Sequence, residues 1–466
     1  MTETGLPRSV RAGYGLGSVA TGTFGTVPGL LLLPYLTDTL GIGAALAGVI
    51  VFAPKAWDVV LNPIAGGISD RTVDDRGPRR PFLLRGGLAL AACFALLFAA
   101  PDLGSQAVDA IWVLVLFVGC ATAYAFFQVP YVAMPAEITD DYDERTRLMT
   151  WRVAILALAI MLSGASAPAI RNSFEGRTGY RVMGLAVACL LVVGVIGAYG
   201  GTRRAPTGRA VPGGVSLREQ LRIVAGARDF RLLLVTFVLQ ALATGSMLAG
   251  VDYMSRHVLG NPSASTVLFV CFVGPALLLT PVWSAVGRRA GKKAGYVAAS
   301  LVLAAAALVL TGARSEPHWV VFAATGLVGV GYAGVQVFPL AMLPDAAALD
   351  AARTGTNRVG VYTGVWTAGE TLGLALGPGI YALVLAAGGY VSSSGGHVHQ
   401  PSSALTAIVL GFSVLPAALT LLSLLWLRRY SLDAAAVGGS RQARPPTVPE
   451  VEPAETTPVD DPEERR

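Results

Sequence analysis

Twelve stretches of roughly twenty consecutive apolar residues run through this 466-residue chain, and together they force its backbone into membrane-crossing helices. In the first half they fall at about 13–37, 43–69, 82–101, 109–133, 150–170 and 181–200. In the second half they fall at about 231–254, 264–286, 294–313, 318–342, 359–387 and 403–427. A bilayer core of about 30 Å is crossed by about 20 residues of helix. Inside it every backbone N–H and C=O must be satisfied within the segment itself, which selects helices here. The fold class is therefore an all-α membrane protein with twelve transmembrane helices. Hydrophobic residues make up 53% of the chain and charged residues 14%, against about 25% charged in a soluble domain. A soluble enzyme this apolar would expose large adhesive patches. Motifs of intramembrane or phosphate-binding enzymes (HExxH, GxSxG in a strand–helix turn, a P-loop) are not found. Nor do the four cysteines, scattered singly through apolar runs, suggest a metal or disulfide framework.

The net charge of +6 matters by its placement. Arg8 and Arg11 precede the first segment; Arg71, Arg76, Arg79 and Arg80 follow the second; Arg145 and Arg147 follow the fourth. The pattern recurs after segments 6, 8, 10 and 12, while the alternate loops are nearly free of Lys and Arg. By the positive-inside rule both termini lie in the cytoplasm, and the bilayer, with no nucleic acid, is the partner the charge implies. Arg171, Arg177 and Arg181 around the fifth loop, with Arg256 and Arg314, break the pattern. Residues 201–230 read as a polar, basic cytoplasmic linker between an N-terminal half, 1–200, and a C-terminal half, 231–430. Residues 431–466, rich in Pro, Glu, Thr and Asp, read as a disordered cytoplasmic tail.

The halves repeat. Tyr124-Ala125, Gln128-Val129, Ala133-Met134 and Arg145-Thr146 recur as Tyr332-Ala333, Gln336-Val337, Ala341-Met342 and Arg353-Thr354 at one gapless offset. The basic run ending in Arg79-Arg80 is echoed by Arg288-Arg289 and Lys292-Lys293. Two parallel six-helix halves related by an axis along the membrane normal constitute the major facilitator architecture.

Ionisable residues inside spans are costly and are functional hypotheses by default. Lys55 and Asp58 lie three apart on one face of the second segment. Glu370 lies on the eleventh, Arg152 opens the fifth and Asp252 ends the seventh. Gln128 and Gln336 occupy matching places. Tyr131, Trp366, Tyr124, Trp151 and Tyr362 are aromatic surfaces against which a sugar could stack, or simply packing residues. His257, His318, His397 and His399 fall in loops or at span ends; His397 and His399 could bind a metal externally but read as part of a solvated loop, and no metal site is expected.

The run Ala56-Trp57-Asp58-Val59-Val60-Leu61-Asn62-Pro63-Ile64-Ala65-Gly66 resembles the signature of the glycoside–pentoside–hexuronide:cation symporters. Tyr14-Gly15-Leu16-Gly17, Tyr35-Leu36-Thr37-Asp38, Arg79-Arg80-Pro81 and Gln128-Val129-Pro130-Tyr131 fit the same family. The resemblance implies a cation-coupled transporter, with Asp58, Asn62, Lys55 and Glu370 at the coupling site. It implies Arg152 and Gln128 at the solute site, to which the residues themselves add Tyr131, Trp366 and Gln336 as candidates, and it implies Asp70, Arg71, Arg79 and Arg80 in gating. Two departures bear on the ion. Asn62 stands where sodium-coupled members carry a second carboxylate, and Leu61 stands at a polar position of the motif. H⁺ is therefore expected before Na⁺, with no other cofactor. Gly22 and Gln128 replace the family's sugar-binding acids, and Glu370 replaces a lysine. The expectation is alternating-access symport of a glycoside or similar polar solute by a monomer in the bacterial inner membrane. A transporter or exporter of amphiphiles, lysolipids or drugs is the alternative.

Overall fold

In a computed structural model, residues 6–432 are described apart from 73–78, 103, 140, 204, 206–216, 355–357 and 395–397. Among the described residues there are twelve long helical spans and no strand. The first six are α1 (Arg8–Pro34), α2 (Ala44–Arg71), α3 (Arg80–Leu97), α4 (Gln106–Ala133), α5 (Tyr142–Asn172) and α6 (Gly176–Thr202). The second six are α7 (Arg228–Tyr253), α8 (Ala264–Ala290), α9 (Lys292–Val309), α10 (His318–Thr354), α11 (Val359–Ala387) and α12. The last is broken into Ser402–Phe412 and Val414–Arg428. Pro416 explains the break, since its ring excludes the carbonyl of Phe412 and it offers no N–H in return. By length and composition, eleven spans of the described residues are able to cross a membrane, and α2, 28 residues long, completes the set. Leu158, Leu185, Leu278 and Leu383 are all more than half exposed, as lipid-facing residues are.

The expected segments match these spans to within a few residues except at two ends. α5 begins at Tyr142 and α10 continues to Thr354. These added turns are rich in charge (Glu144, Arg145 and Arg147; Asp345, Asp350 and Arg353), so hydropathy does not report them. The stretch read as a linker also contains a helix, Leu217–Gly226. Of the expected tail, residues 433–466 lie outside the described residues.

Within the first half, α1 packs on α5 and α6, and α3 packs on α4 and α6. Within the second, α7 packs on α11 and α12, and α10 on α8 and α9. Glycines permit the closest crossings: a Cβ on Gly13 would lie 2.4 Å from the Gly201 backbone, and one on Gly377 would lie 2.5 Å from the Gly245 backbone. The halves meet through α2 against α11, α5 against α8, and α1 against α7. α1 and α7 finish alike, each in a wide π-helical turn, Tyr35–Thr39 and Met254–Val258. Each turn is followed by a glycine of positive φ, Gly41 at 72° and Gly260 at 61°.

Candidate functional site

The residues expected at the coupling and solute sites lie on α2, α4, α5, α10 and α11, with Asp58 and Gln336 near the middle of their helices and Gln128 and Tyr131 toward the C-terminal end of α4. Asp58 is the fifteenth of the 28 residues of α2 and is buried, 3% exposed. Helical spacing brings Lys55 to it, with Nζ 3.9 Å from Oδ2. The ammonium also lies 4.8 Å from the ring centre of Phe24 on α1 and 5.9 Å from that of Tyr124 on α4. Asp58 Oδ1 is buried without a hydrogen-bond partner. Asn62, one turn further on, is exposed.

Gln128 is held by Thr21, whose hydroxyl donates to Oε1 at 2.8 Å. Tyr131 is fully buried, and its hydroxyl donates to the carbonyl of Tyr14 at 2.8 Å and lies 3.0 Å from Ser18 Oγ. What Tyr131 offers is therefore a ring face, and the Arg152 guanidinium sits 5.7 Å from that ring's centre. Arg152 Nε is buried without a hydrogen-bond partner, and among the described residues no carboxylate pairs with Arg152. On the other half, Gln336 donates to the hydroxyl of Tyr332 at 3.1 Å. Trp366 is buried and stacked on Phe237 at 4.4 Å, so it packs α11 on α7; its Nε1 has no hydrogen-bond partner. Glu370 is half-buried on α11, and no ion pair of Glu370 is found among the described residues.

The expected gating residues divide. The side chains of Asp70 and Arg71 lie outside the described residues. Arg79 forms an ion pair with Glu137 at 3.0 Å, and Arg80 donates to the carbonyl of Ala205. The first contact stays within the first half, and the second ties α3 to the start of the linker just after α6. The second half repeats them: Lys292 pairs with Asp345, and Lys293 donates to the carbonyls of Arg428 and Tyr430. The repeat read from α4 and α10 thus extends to the charge pairs behind them.

A second polar cluster, not anticipated from the sequence, joins the halves at the end away from the basic loops. Arg171 closes α5 and Asp252 closes α7; both are buried, with Nη2 3.2 Å from Oδ2 and Nη1 3.3 Å from Oδ1. Arg256 adds a bond to the same carboxylate at 2.9 Å, and Asn172 accepts from both arginines. Beside it the two π-helical turns meet. Asp38 lies 3.3 Å from His257 Nε2, and Tyr390 donates to Asp38 Oδ1. Burial and the Asp38 carboxylate push the Tyr390 phenol far above its ordinary range, so it stays a donor. The Thr37 and Tyr253 hydroxyls lie 2.6 Å apart, and Ser393 N donates to the Thr37 carbonyl.

The three fifth-loop arginines among those that break the basic-loop pattern each have a partner. Arg171 is neutralised by Asp252, Arg177 by Asp109 at 2.8 Å, and Arg181 donates to the carbonyl of Ala100. His257, placed by the sequence at a span end, is part of this interface, and His397 lies outside the described residues. The signal for the cluster was faint: unexpected arginines at a span end, and the apolar-flanked Asp252.

This architecture is that of a multi-pass helical transporter with two six-helix halves. A family model described as MFS/sugar transport protein matches residues 13–434, and the chain belongs to that family, that of the glycoside–pentoside–hexuronide:cation symporters. A candidate glycoside/cation symporter of Escherichia coli, YagG, is 28% identical, with 94% of this chain and 95% of that one covered. The isoprimeverose transporter of Lactiplantibacillus pentosus is 24% identical over 92% of this chain and 89% of its own. Among solved structures, a bacterial homolog of the lysosomal transporter Spinster, inward-facing and unoccupied, superposes with a TM-score of 0.66. It is 13% identical, with 94% of this chain and 97% of that one covered, and shares the fold.

Proposed function

We propose that this protein is a cation-coupled symporter, driven by H⁺ in preference to Na⁺, that carries a glycoside or similar polar solute by alternating access. The observation that carries the reading is Glu370, a carboxylate near the middle of a span with no ionic partner among the described residues. A charge at that depth is expensive, and taking up a proton removes it. Arg152, Gln128 and Gln336 supply donors and acceptors suited to hydroxyls. In this reading the clusters at Asp252 and Asp38 hold the far end shut, and the central site opens toward the basic end. The protein sits as a monomer in the bacterial cytoplasmic membrane, with the basic loops and both termini in the cytoplasm.

The test is solute uptake into proteoliposomes across a panel of glycosides, with a pH-sensitive dye inside and with or without Na⁺. A proton gradient is expected to drive accumulation in the absence of Na⁺. Glu370→Gln is expected to abolish accumulation against a gradient while leaving downhill exchange. Full gradient-driven accumulation by that variant, or an absolute need for Na⁺, would sink the proposal.

A further inference from the structure

The Lys55–Asp58 pair admits a sharper reading, which rests on placing Asp58 in the coupling site. A buried carboxylate in the middle of a span needs positive charge from a proton, a metal ion or the protein. Its neighbours can be named: Lys55 on its own helix and Tyr124 from α4. Lys55 in turn lies against Phe24 of α1 and near Cys120 of α4, and the Arg152 charge on α5 acts on Tyr124. Of these, Lys55 is the cation within ion-pairing distance. At 3.9 Å its ammonium is too far from Oδ2 for a hydrogen bond, so a hydrogen bond does not set its position. The aromatic faces of Phe24 and Tyr124 hold it there, an attraction that strengthens where water is excluded. The ammonium is thus confined between α1, α2 and α4, with its side chain 19% exposed. Among the described residues no cluster of three His, Cys, Asp or Glu side chains could hold a metal ion, and a hard inorganic cation requires several oxygen ligands.

We propose that the ε-ammonium of Lys55 is the built-in cation of the Asp58 site. It balances the carboxylate from within the chain and occupies the space that Na⁺ or Li⁺ would need. Asp58 then stays ionised throughout the cycle, and Glu370 is left as the acid on which a coupling proton travels. Lys55 is a specificity-determining residue: it sets which external cations the carrier ignores.

The experiment measures ²²Na⁺ binding and thermal unfolding of the purified full-length protein without solute. Choline chloride, NaCl, LiCl and methylammonium chloride are compared at equal ionic strength for wild type, Lys55→Ala, Lys55→Arg and Lys55→Ala with Asp58→Asn. Wild type and Lys55→Arg are expected to bind no Na⁺ and to melt at the same temperature in all four salts. Lys55→Ala is expected to melt lower in choline and to rise by about 2 °C or more in at least one small cation at about 100 mM. Adding Asp58→Asn is expected to erase that rise. Na⁺ binding to wild type that Asp58→Asn removes would overturn the proposal. So would a folded Lys55→Ala protein indifferent to every cation. If Lys55→Ala does not fold, Lys55→Met keeps the apolar stem and takes its place under the same criteria. Because no solute is present, these outcomes stand apart from failure of glycoside uptake, which bears on the broader reading alone.

Discussion

At the far end of the bundle Arg171 of one half is buried against Asp252 of the other, whereas at the basic end Arg79 and Lys292 each pair within their own half. The same chemistry serves two purposes. An ion pair that crosses the interface exists only while the halves are apposed at that end, so it depends on conformation. An ion pair within a half survives any rigid rocking of one half against the other, so it keeps each half intact while the interface changes. The difference teaches that, among the described residues, packing joins the halves along the α1–α7, α2–α11 and α5–α8 contacts, whereas the Arg171–Asp252 and Tyr390–Asp38 ties between them lie at the far end.

Four variants would break or sharpen this contrast. The largest effect is expected for Asp252→Ala, which strands two arginines, one of them 5% exposed at its side chain, around an empty position. A loss of about 3–5 kcal/mol is expected, read as a lower melting temperature of the purified protein. A double replacement, Arg171→Met with Asp252→Leu, is expected to recover most of that stability, because a buried ion pair is often matched by apolar packing. The double variant would still be impaired in transport if the pair serves to open and close. Full transport by it would show that the pair only packs the interface.

An intermediate effect is expected for Lys292→Ala at the basic end. Its partner contact is within one half and the side chain is 44% exposed, so about 0.5–1 kcal/mol is at stake. That loss should shrink in high salt, since exposed pairs are screened. A salt-insensitive loss as large as that of Asp252→Ala would remove the distinction between the two ends. The smallest effect is expected for Arg222→Ala on the helix Leu217–Gly226, where the Glu219 pair is 72% and 44% exposed. Stability should stay within about 0.5 kcal/mol of wild type in the same melting assay.

The Lys55–Asp58 pair and the Arg171–Asp252 pair show where sequence reading succeeds and where it stops. The first follows from helical geometry, because residues three apart share a face. The second joins residues 81 apart, and Tyr390 reaches Asp38 across 352. No local periodicity encodes such meetings. Arg171 could only be registered as a charge on the wrong side, and His257 as a residue at a span end. Tyr131 and Trp366 show the converse. Their side chains are candidates for stacking on a sugar, and only the structure shows that the Tyr131 hydroxyl is bonded to Tyr14 and the Trp366 ring is stacked on Phe237. Burial of this kind depends on what other helices bring, and one helix cannot report it.

The sequence by itself determined the number of spans, the two-fold repeat and the α2 charge pair. Hydropathy over about 20 residues, a constant offset and the 3.6-residue turn are all properties of the chain taken locally or against itself. The tertiary structure decided which charges cross the interface, which stay within a half, and which aromatic rings surround the Lys55 ammonium. Those choices depend on the packing of helices distant in sequence, where close glycine crossings and paired π-helical turns set distances that no single segment contains.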